Sequence, residues 1–180
     1  AEFRQLCHDY AMQQVAAQKK GFYAIHSASI LYQNRAWLFS GHSGMGKSTH
    51  TELWHERVHT PYLNGDLNLV GIENGKLKVY GIPWCGTSGI FTTSTQELGG
   101  IVLLGRDDYD HLERLGEAEK IVRVMQRMIS PAWTEEQMEK NLDFAGQIVE
   151  NSPVYYLKCT KNLSAVETIK AQIDQMEAEG

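Results

Sequence analysis

A short glycine-rich stretch sets the strongest limit on how this chain folds: residues 41–49 read Gly-His-Ser-Gly-Met-Gly-Lys-Ser-Thr. Its first eight residues fit the pattern G-x-x-x-x-G-K-[ST] at each fixed position. The residues before it are typical of a buried strand, and residues 49–58 are typical of a helix. Because a loop of this pattern between a strand and a helix binds the phosphates of nucleotides, the sequence predicts a nucleotide-binding domain.

The residue types of this phosphate loop explain the prediction. Glycines allow the tight turn that aims successive backbone N–H groups at anionic oxygens, and the following helix adds the positive end of its dipole. Lys47 is expected to reach the β- and γ-phosphates of ATP or another nucleoside triphosphate, the Ser48 hydroxyl to bind Mg²⁺, and Thr49 to assist at the α-phosphate. The predicted nucleotide-binding residues are Gly41, Ser43, Gly44, Met45, Gly46, Lys47, Ser48 and Thr49.

The net charge and the cysteine content limit the classes of binding partner and the cellular compartment. The net charge of −5 argues against nucleic acid or an anionic membrane as the main partner. Cys7, Cys85 and Cys159 are odd in number and form no C-x-x-C pair, which favours reduced thiols and a cytoplasmic protein. No apolar run approaches the ~20 residues that cross a bilayer. We therefore expect one domain over residues 1–180 that binds a nucleotide rather than a nucleic acid or a membrane, and a homo-oligomer is compatible with the sequence.

The predicted elements come in an unusual order. A hairpin with its turn at Gln33-Asn34 precedes the phosphate loop, and a second hairpin with its turn at Asn74-Gly75 follows the loop helix. Residues 83–96 are rich in Gly, Thr and Ser and are predicted to form a loop. Helices are predicted over residues 2–18, 49–58, 117–129, 135–149 and 164–176, and strands over 22–32, 35–40, within 61–82, 101–104 and 154–159.

This order and its motifs resemble the HPr kinase/phosphorylase group and its relatives in the phosphoenolpyruvate carboxykinase-like superfamily. The resemblance rests on Ile25-His26-Ser27-Ala28 before the first hairpin, on the phosphate loop itself, and on the strand end Leu63-Asn64-Gly65-Asp66. Tyr80-Gly81-Ile82-Pro83-Trp84 is similar to the Gly-x-Pro-Trp segment of a divergent branch that is often found beside peptide-modifying enzymes. The likeness covers residues 22–106.

The resemblance implies a fold and an activity. The fold would be an α/β phosphoenolpyruvate carboxykinase-like P-loop domain with a hairpin-rich mixed sheet, residues 107–180 supplying C-terminal helices. The activity would be ATP-dependent transfer of the γ-phosphoryl group to a hydroxyl on a peptide, protein or small metabolite. Asp66 would orient or deprotonate that hydroxyl, or hold Mg²⁺ together with Ser48. His26 would pair with Asp66 or touch a phosphate oxygen, so that Asp66, Lys47 and His26 are the predicted catalytic residues.

Two departures from the family's pattern bear on the substrate. The family's pair of acidic residues is Asp66-Leu67 here, and its Glu-x-Arg-Gly segment is Lys78-Val79-Tyr80-Gly81. The second change removes a presumed metal ligand and an arginine, and it argues against HPr itself as the acceptor. The missing second carboxylate also leaves open a degenerate nucleotide binder that has lost transfer activity.

A further alternative is an ordinary P-loop NTPase or regulatory switch. The apolar residues 101–104 are followed by Arg106-Asp107-Asp108, so that Asp107 rather than Asp66 would be the catalytic carboxylate. The two-hairpin order favours the kinase interpretation. In that interpretation Arg106 is an exposed structural arginine, and Asp107 belongs to a solvated charge run that opens a loop.

One segment of the sequence also matches the zinc-protease motif H-E-x-x-H. Residues 55–59 read His-Glu-Arg-Val-His and fit H-E-x-x-H. The segment is the last turn of the phosphate-loop helix, directly before Thr60-Pro61, and no third ligand is identifiable. A favourable interaction of histidines with the helix C-terminus explains it better than a metal site does.

Overall fold

A mixed sheet with helices on both faces organises the molecule, for which the computed structural model describes residues 2–42, 44–80 and 95–180. Its elements in chain order are α1 (Glu2–Lys19), β1 (Tyr23–His26), β2 (Ala28–Tyr32), β3 (Arg35–Ser40), α2 (Lys47–Val58), β4 (Tyr62–Asn64), β5 (Leu67–Glu73), β6 (Lys76–Tyr80), β7 (Thr95–Arg106), β8 (His111–Glu113), α3 (Glu117–Arg127), α4 (Glu135–Asn151), β9 (Val154–Cys159) and α5 (Leu163–Glu179).

The sheet has the strand order β1-β5-β6-β7-β3-β2-β4, and β9 joins it on β7 and carries β8. The long strand β7 is parallel to β3 and to β9, whereas its first residues pair antiparallel with β6. The remaining pairs are antiparallel. The coarse prediction of an α/β chain with a mixed, hairpin-rich sheet and C-terminal helices is therefore confirmed.

Both predicted hairpin turns are confirmed. Gln33 and Asn34 have φ values of 53° and 61°, and Asn74 and Gly75 have φ values of 54° and 78°. Two successive residues with positive φ twist the chain in the sense that a two-residue hairpin needs. The first hairpin joins β2 to β3, and β3 leads directly into the phosphate loop.

One predicted strand divides into two. Residues 22–32 were expected to be continuous, but β1 pairs with β5 and β2 pairs with β3 and β4. The chain changes partners at Ser27, whose N–H donates to the Asp66 carbonyl at 3.1 Å and whose hydroxyl donates to the Ile25 carbonyl. No glycine or proline marks this corner in the sequence.

The strand predicted over residues 101–104 is longer than expected, because β7 begins at Thr95. Thr95 and Gln96 were predicted to lie in a loop, and the rest of that loop, residues 83–94, lies outside the described residues. Gly99 and Gly100 weaken the β pattern of this stretch. They are required because a Cβ at either position would lie 2.6 Å from the buried indole of Trp37.

The short strand β8 was also missed, because residues 106–110 were predicted to open a loop and no strand was predicted after them. The helices are predicted better, and each end agrees with the structure to within three residues. Of the cysteines, Cys159 is a buried free thiol. Cys85 and the side chain of Cys7 lie outside the described part of the chain.

Alternate residues of the central strands enter two hydrophobic clusters, one on each face of the sheet. Leu38 and Ile101 belong to the cluster that contains residues of α3 and α4, whereas Phe39 and Val102 belong to the cluster that contains residues of α2 and α5. Side chains of a strand point alternately to opposite faces, so both faces of β3 and β7 are covered. None of the described helices has the length and apolar content that a membrane span requires.

Candidate functional site

The phosphate loop connects the end of β3 to the start of α2. Gly44 and Gly46 have φ values of 84° and 86°, a left-handed conformation that side chains strain, so the loop needs glycine at both positions. A Cβ at Gly41 would lie 3.0 Å from the Leu104 carbonyl oxygen, which places the loop against the carboxyl end of β7. Ser43, a predicted binding residue, lies outside the described residues.

The helix that follows the loop begins at Lys47, with Gly46 as its N-cap. Ser48 and Thr49 are therefore in the first turn, where their exposed side chains lie beside the positive end of the helix dipole. The Lys47 ammonium donates to the Gly41 carbonyl at 3.4 Å. Burial lowers the pKa of Lys47, the charge of Arg127 lowers it further, and the carboxylate of Asp66 opposes both effects.

The three predicted catalytic residues lie close enough to influence one another. His26 is the last residue of β1 and pairs with Leu67 of β5, so that Asp66 is next to it at the adjoining corner. Burial lowers the pKa of His26, the positive charges of Lys47 and Arg127 lower it too, and Asp66 raises it. Residues from β1, from the β4–β5 turn and from α2 thus interact electrostatically beside the phosphate loop.

A buried polar network fixes the turn that carries Asp66. The Asn68 amide group donates to the Ser27 hydroxyl at 2.8 Å and to the Ser27 carbonyl at 2.9 Å. Its side-chain oxygen accepts from the Ser29 hydroxyl at 2.7 Å and from the Asn64 amide at 3.0 Å. Because these four residues are buried and hydrogen-bonded, the β4–β5 turn is held against the β1–β2 corner.

Two arginines lie beside the loop, one near each of its ends. Arg106 is half-buried and its guanidinium lies 3.2 Å from the position that a Cβ on Gly46 would take. The predicted exposure of Arg106 is therefore wrong. At the other end, the Arg127 guanidinium at the C-terminus of α3 donates to Nδ1 of His42 at 3.1 Å. Arg127 was not predicted to lie at the site, because no sequence motif links α3 to the loop.

Asp107, the catalytic carboxylate of the alternative NTPase interpretation, has partners away from Lys47. Asp107 lies 3.6 Å from Nε2 of His111 and 3.9 Å from Nζ of Lys158, and Lys158 also approaches Glu113 at 3.3 Å. It is half-buried in this ion cluster beside β8, not in a solvated run. These contacts place its charge among β7, β8 and β9, whereas Asp66 is coupled to Lys47.

The two histidines of the H-E-x-x-H match, His55 and His59, have structural roles. His55 Nδ1 lies 2.9 Å from the Thr60 carbonyl oxygen, and its ring stacks on Tyr62 with a centroid distance of 4.8 Å. His59 is the C-cap of α2, with a φ of 61°. In the described part of the chain, no three His, Cys, Asp or Glu side chains are grouped to hold a metal ion.

A magnesium ion bound with a nucleotide needs fewer protein ligands. Mg²⁺ usually keeps several waters and takes one or two protein oxygens together with phosphate oxygens. The exposed Ser48 hydroxyl in the first turn of α2 and the Asp66 carboxylate, which is coupled to Lys47, fit that donor set.

Comparisons with known proteins add little beyond these observations. No protein-family model matches the chain, and no curated protein matches its sequence. Among solved structures, the HPr(Ser) kinase/phosphatase from Coxiella burnetii is similar over 87% of this chain and 99% of that chain, with a TM-score of 0.46 and 11% sequence identity. At this level of similarity, the chemistry has to be inferred from the site's own residues.

Proposed function

We propose that this protein binds ATP or another nucleoside triphosphate with Mg²⁺ and transfers its γ-phosphoryl group to a hydroxyl on a peptide, protein or small metabolite. The domain would be of the phosphoenolpyruvate carboxykinase-like P-loop type. The observation that carries the proposal is the position of Asp66, which lies in a turn whose neighbouring residues form a buried network and whose carboxylate interacts electrostatically with Lys47 and His26.

Phosphoryl transfer depends mainly on positioning and on neutralising charge. The loop N–H groups and Lys47 would hold the phosphates, and Ser48 would supply a ligand to Mg²⁺, which neutralises charge on the phosphate oxygens. Asp66 would orient the acceptor hydroxyl and take its proton. His26, with its lowered pKa, is neutral at pH 7 and can hydrogen-bond without adding a charge.

The rigid surroundings of Asp66 favour transfer over binding alone. A general base has to be held within hydrogen-bond reach of its substrate, and a misplacement of about 1 Å can cost about a hundredfold in rate. The hydrogen bond that Asn68 donates to Ser27, and those that it accepts from Ser29 and Asn64, restrict the turn in this way.

The test compares two isosteric substitutions, Asp66→Asn and Asp107→Asn, with Lys47→Ala as the variant that loses binding. We expect Asp66→Asn to lower transfer, or slow background ATP hydrolysis with Mg²⁺, by at least about a hundredfold, in line with a general base. Its nucleotide affinity should change far less, because Lys47 and the loop amides hold the phosphates. Asp107→Asn should leave turnover near that of the unmodified protein.

Other outcomes would point to other functions. If Asp107→Asn abolishes turnover and Asp66→Asn does not, the chain is an ordinary P-loop NTPase. If nucleotide binds in a Lys47-dependent way and no hydrolysis or transfer is detectable, it is a degenerate nucleotide binder. Thermal unfolding with ATP and Mg²⁺ measures the binding, since a ligand at 100 times its Kd stabilises the folded state by about 2.7 kcal/mol.

A further inference from the structure

Two basic side chains, those of Lys47 and Arg127, lie next to the phosphate loop and contact it. Lys47 and Arg127 are each half-buried, and burial lowers the pKa of both. Within the described ranges, no carboxylate lies within ion-pair distance of either side chain. Two partly desolvated cations that repel each other form an arrangement that a bound anion would stabilise.

The position of Arg127 indicates which part of a nucleotide it would meet. Lys47 reaches the β- and γ-phosphates in loops of this pattern, and Arg127 acts electrostatically on Lys47 and on His26. Arg106, in contrast, lies beside Gly46 and Thr49, toward the expected α-phosphate. The two arginines are thus assigned to opposite ends of a triphosphate.

We propose that Arg127 binds the terminal phosphate of the nucleotide, so that this site distinguishes triphosphates from diphosphates. The inference rests on the proposed nucleotide-binding function and names a residue that no motif in the sequence indicates. Arg127 is the last residue of α3, so that helix supplies a phosphate ligand to a loop that precedes it by 85 residues in the chain.

The present partner of Arg127 is compatible with this role. Nδ1 of His42 accepts from the guanidinium as a neutral nitrogen, and it holds the side chain at the loop. Hydrogen bonds from a guanidinium to phosphate are roughly twice as strong as bonds to a neutral acceptor, and they are frequently bidentate. A phosphate oxygen would therefore displace His42 as the preferred acceptor.

Arg123 is a matched control on the same helix, one turn earlier. It is half-buried like Arg127, but it pairs with Glu119 at 3.0 Å and lies over the Tyr156 ring at 4.4 Å. Its guanidinium already has a carboxylate partner. Arg123→Gln therefore removes the same charge from the same helix without removing the proposed phosphate ligand.

The experiment measures binding of ADP and of a non-hydrolysable imido analogue of ATP, each with Mg²⁺, by titration calorimetry. We expect Arg127→Gln to weaken the analogue by about ten- to a hundredfold, the usual effect of losing a hydrogen bond to a charged group, and to leave ADP within about threefold. Arg123→Gln should leave both affinities unchanged. His42→Ala should keep the preference for the triphosphate analogue, because the phosphate rather than His42 is the functional partner.

Equal weakening of both nucleotides by Arg127→Gln, no weakening at all, or a loss of preference in His42→Ala would overturn the inference. Should Arg127→Gln fail to fold, Arg127→Lys replaces it, with a smaller loss for the analogue and again none for ADP. Failure of the proposed function looks different: wild-type protein binds neither nucleotide, or Lys47→Ala binds both as well as wild type.

Discussion

Acid should destabilise this protein through a buried histidine in the first turn of α2, directly after the phosphate loop. His50 is 4% exposed, its Nε2 accepts a hydrogen bond of 3.0 Å from the Trp54 indole, and its ring lies 4.8 Å from that of Phe39. Burial lowers the pKa of His50 to about 4, although the charge of Asp110 raises it slightly. The folded protein therefore keeps this ring neutral at pH values where an unfolded chain would protonate it.

The size of the effect follows from the two pKa values. In the unfolded chain the pKa of His50 is 6.5, so the unfolded state takes up a proton as the pH falls below that value and the folded state does not until about pH 4. Stability is lost progressively across this window. Between pH 7.5 and pH 5.0 the expected loss from this one residue is about 2 kcal/mol of unfolding free energy.

Urea unfolding of wild type and of His50→Gln at pH 7.5 and pH 5.0 isolates the contribution of His50 to the pH dependence of stability. Glutamine does not titrate and can still accept a hydrogen bond from Trp54, so other groups contribute equally to both proteins. Wild type should lose about 2 kcal/mol more than the variant over this interval. If the two proteins lose the same free energy, His50 is not the neutral buried base described here.

Two further predictions concern packing and unpaired polar atoms. Gly100→Ala should lower the free energy of unfolding by roughly 1–3 kcal/mol, because its Cβ would lie 2.6 Å from Trp37 and 2.7 Å from the Pro153 carbonyl oxygen. Gly146→Ala should raise the free energy of unfolding by about 0.5–1 kcal/mol, because Gly146 lies inside α4 and no atom is within 4 Å of the new Cβ. If urea unfolding shows that both substitutions stabilise the protein, or that both destabilise it, this explanation is wrong. Gln14→Met should raise the midpoint of thermal unfolding, because both amide atoms of Gln14 are buried without a hydrogen-bond partner among the described residues, at a cost of about 1–3 kcal/mol. A lower midpoint would mean that the Gln14 amide is satisfied in solution.

The features that the sequence predicted well are those encoded by a few neighbouring residues. The turns at Gln33-Asn34 and Asn74-Gly75 require positive φ values, which asparagine and glycine tolerate; Gln33 is the one turn residue of another type. The phosphate loop, likewise, is recognisable because its glycines and Lys47 lie within one short stretch. In these stretches the conformational preferences of neighbouring residues agree with the backbone conformation that the fold requires.

The features that were missed depend on residues far apart in the chain. Asn68 meets Ser27 across 41 positions and Arg127 meets His42 across 85, and a single sequence contains no signal for either contact. The start of β7 was not predicted for a related reason, because it too depends on a residue far away in the chain. Gly99 and Gly100 suggest a loop until the indole of Trp37, on the neighbouring strand, explains why no side chain fits there.

The pairing of β7 on both sides has a consequence for how the molecule opens. Its residues 101–103 lie between β3 and β9, so their amides cannot reach water through the fraying of an edge strand alone. Their hydrogen exchange should require global unfolding and should report its free energy directly. A nucleotide bound at the loop would then slow exchange deep in the sheet by its full stabilisation of the folded state, RT ln(1 + L/Kd) at a free nucleotide concentration L, even at amides that it never touches.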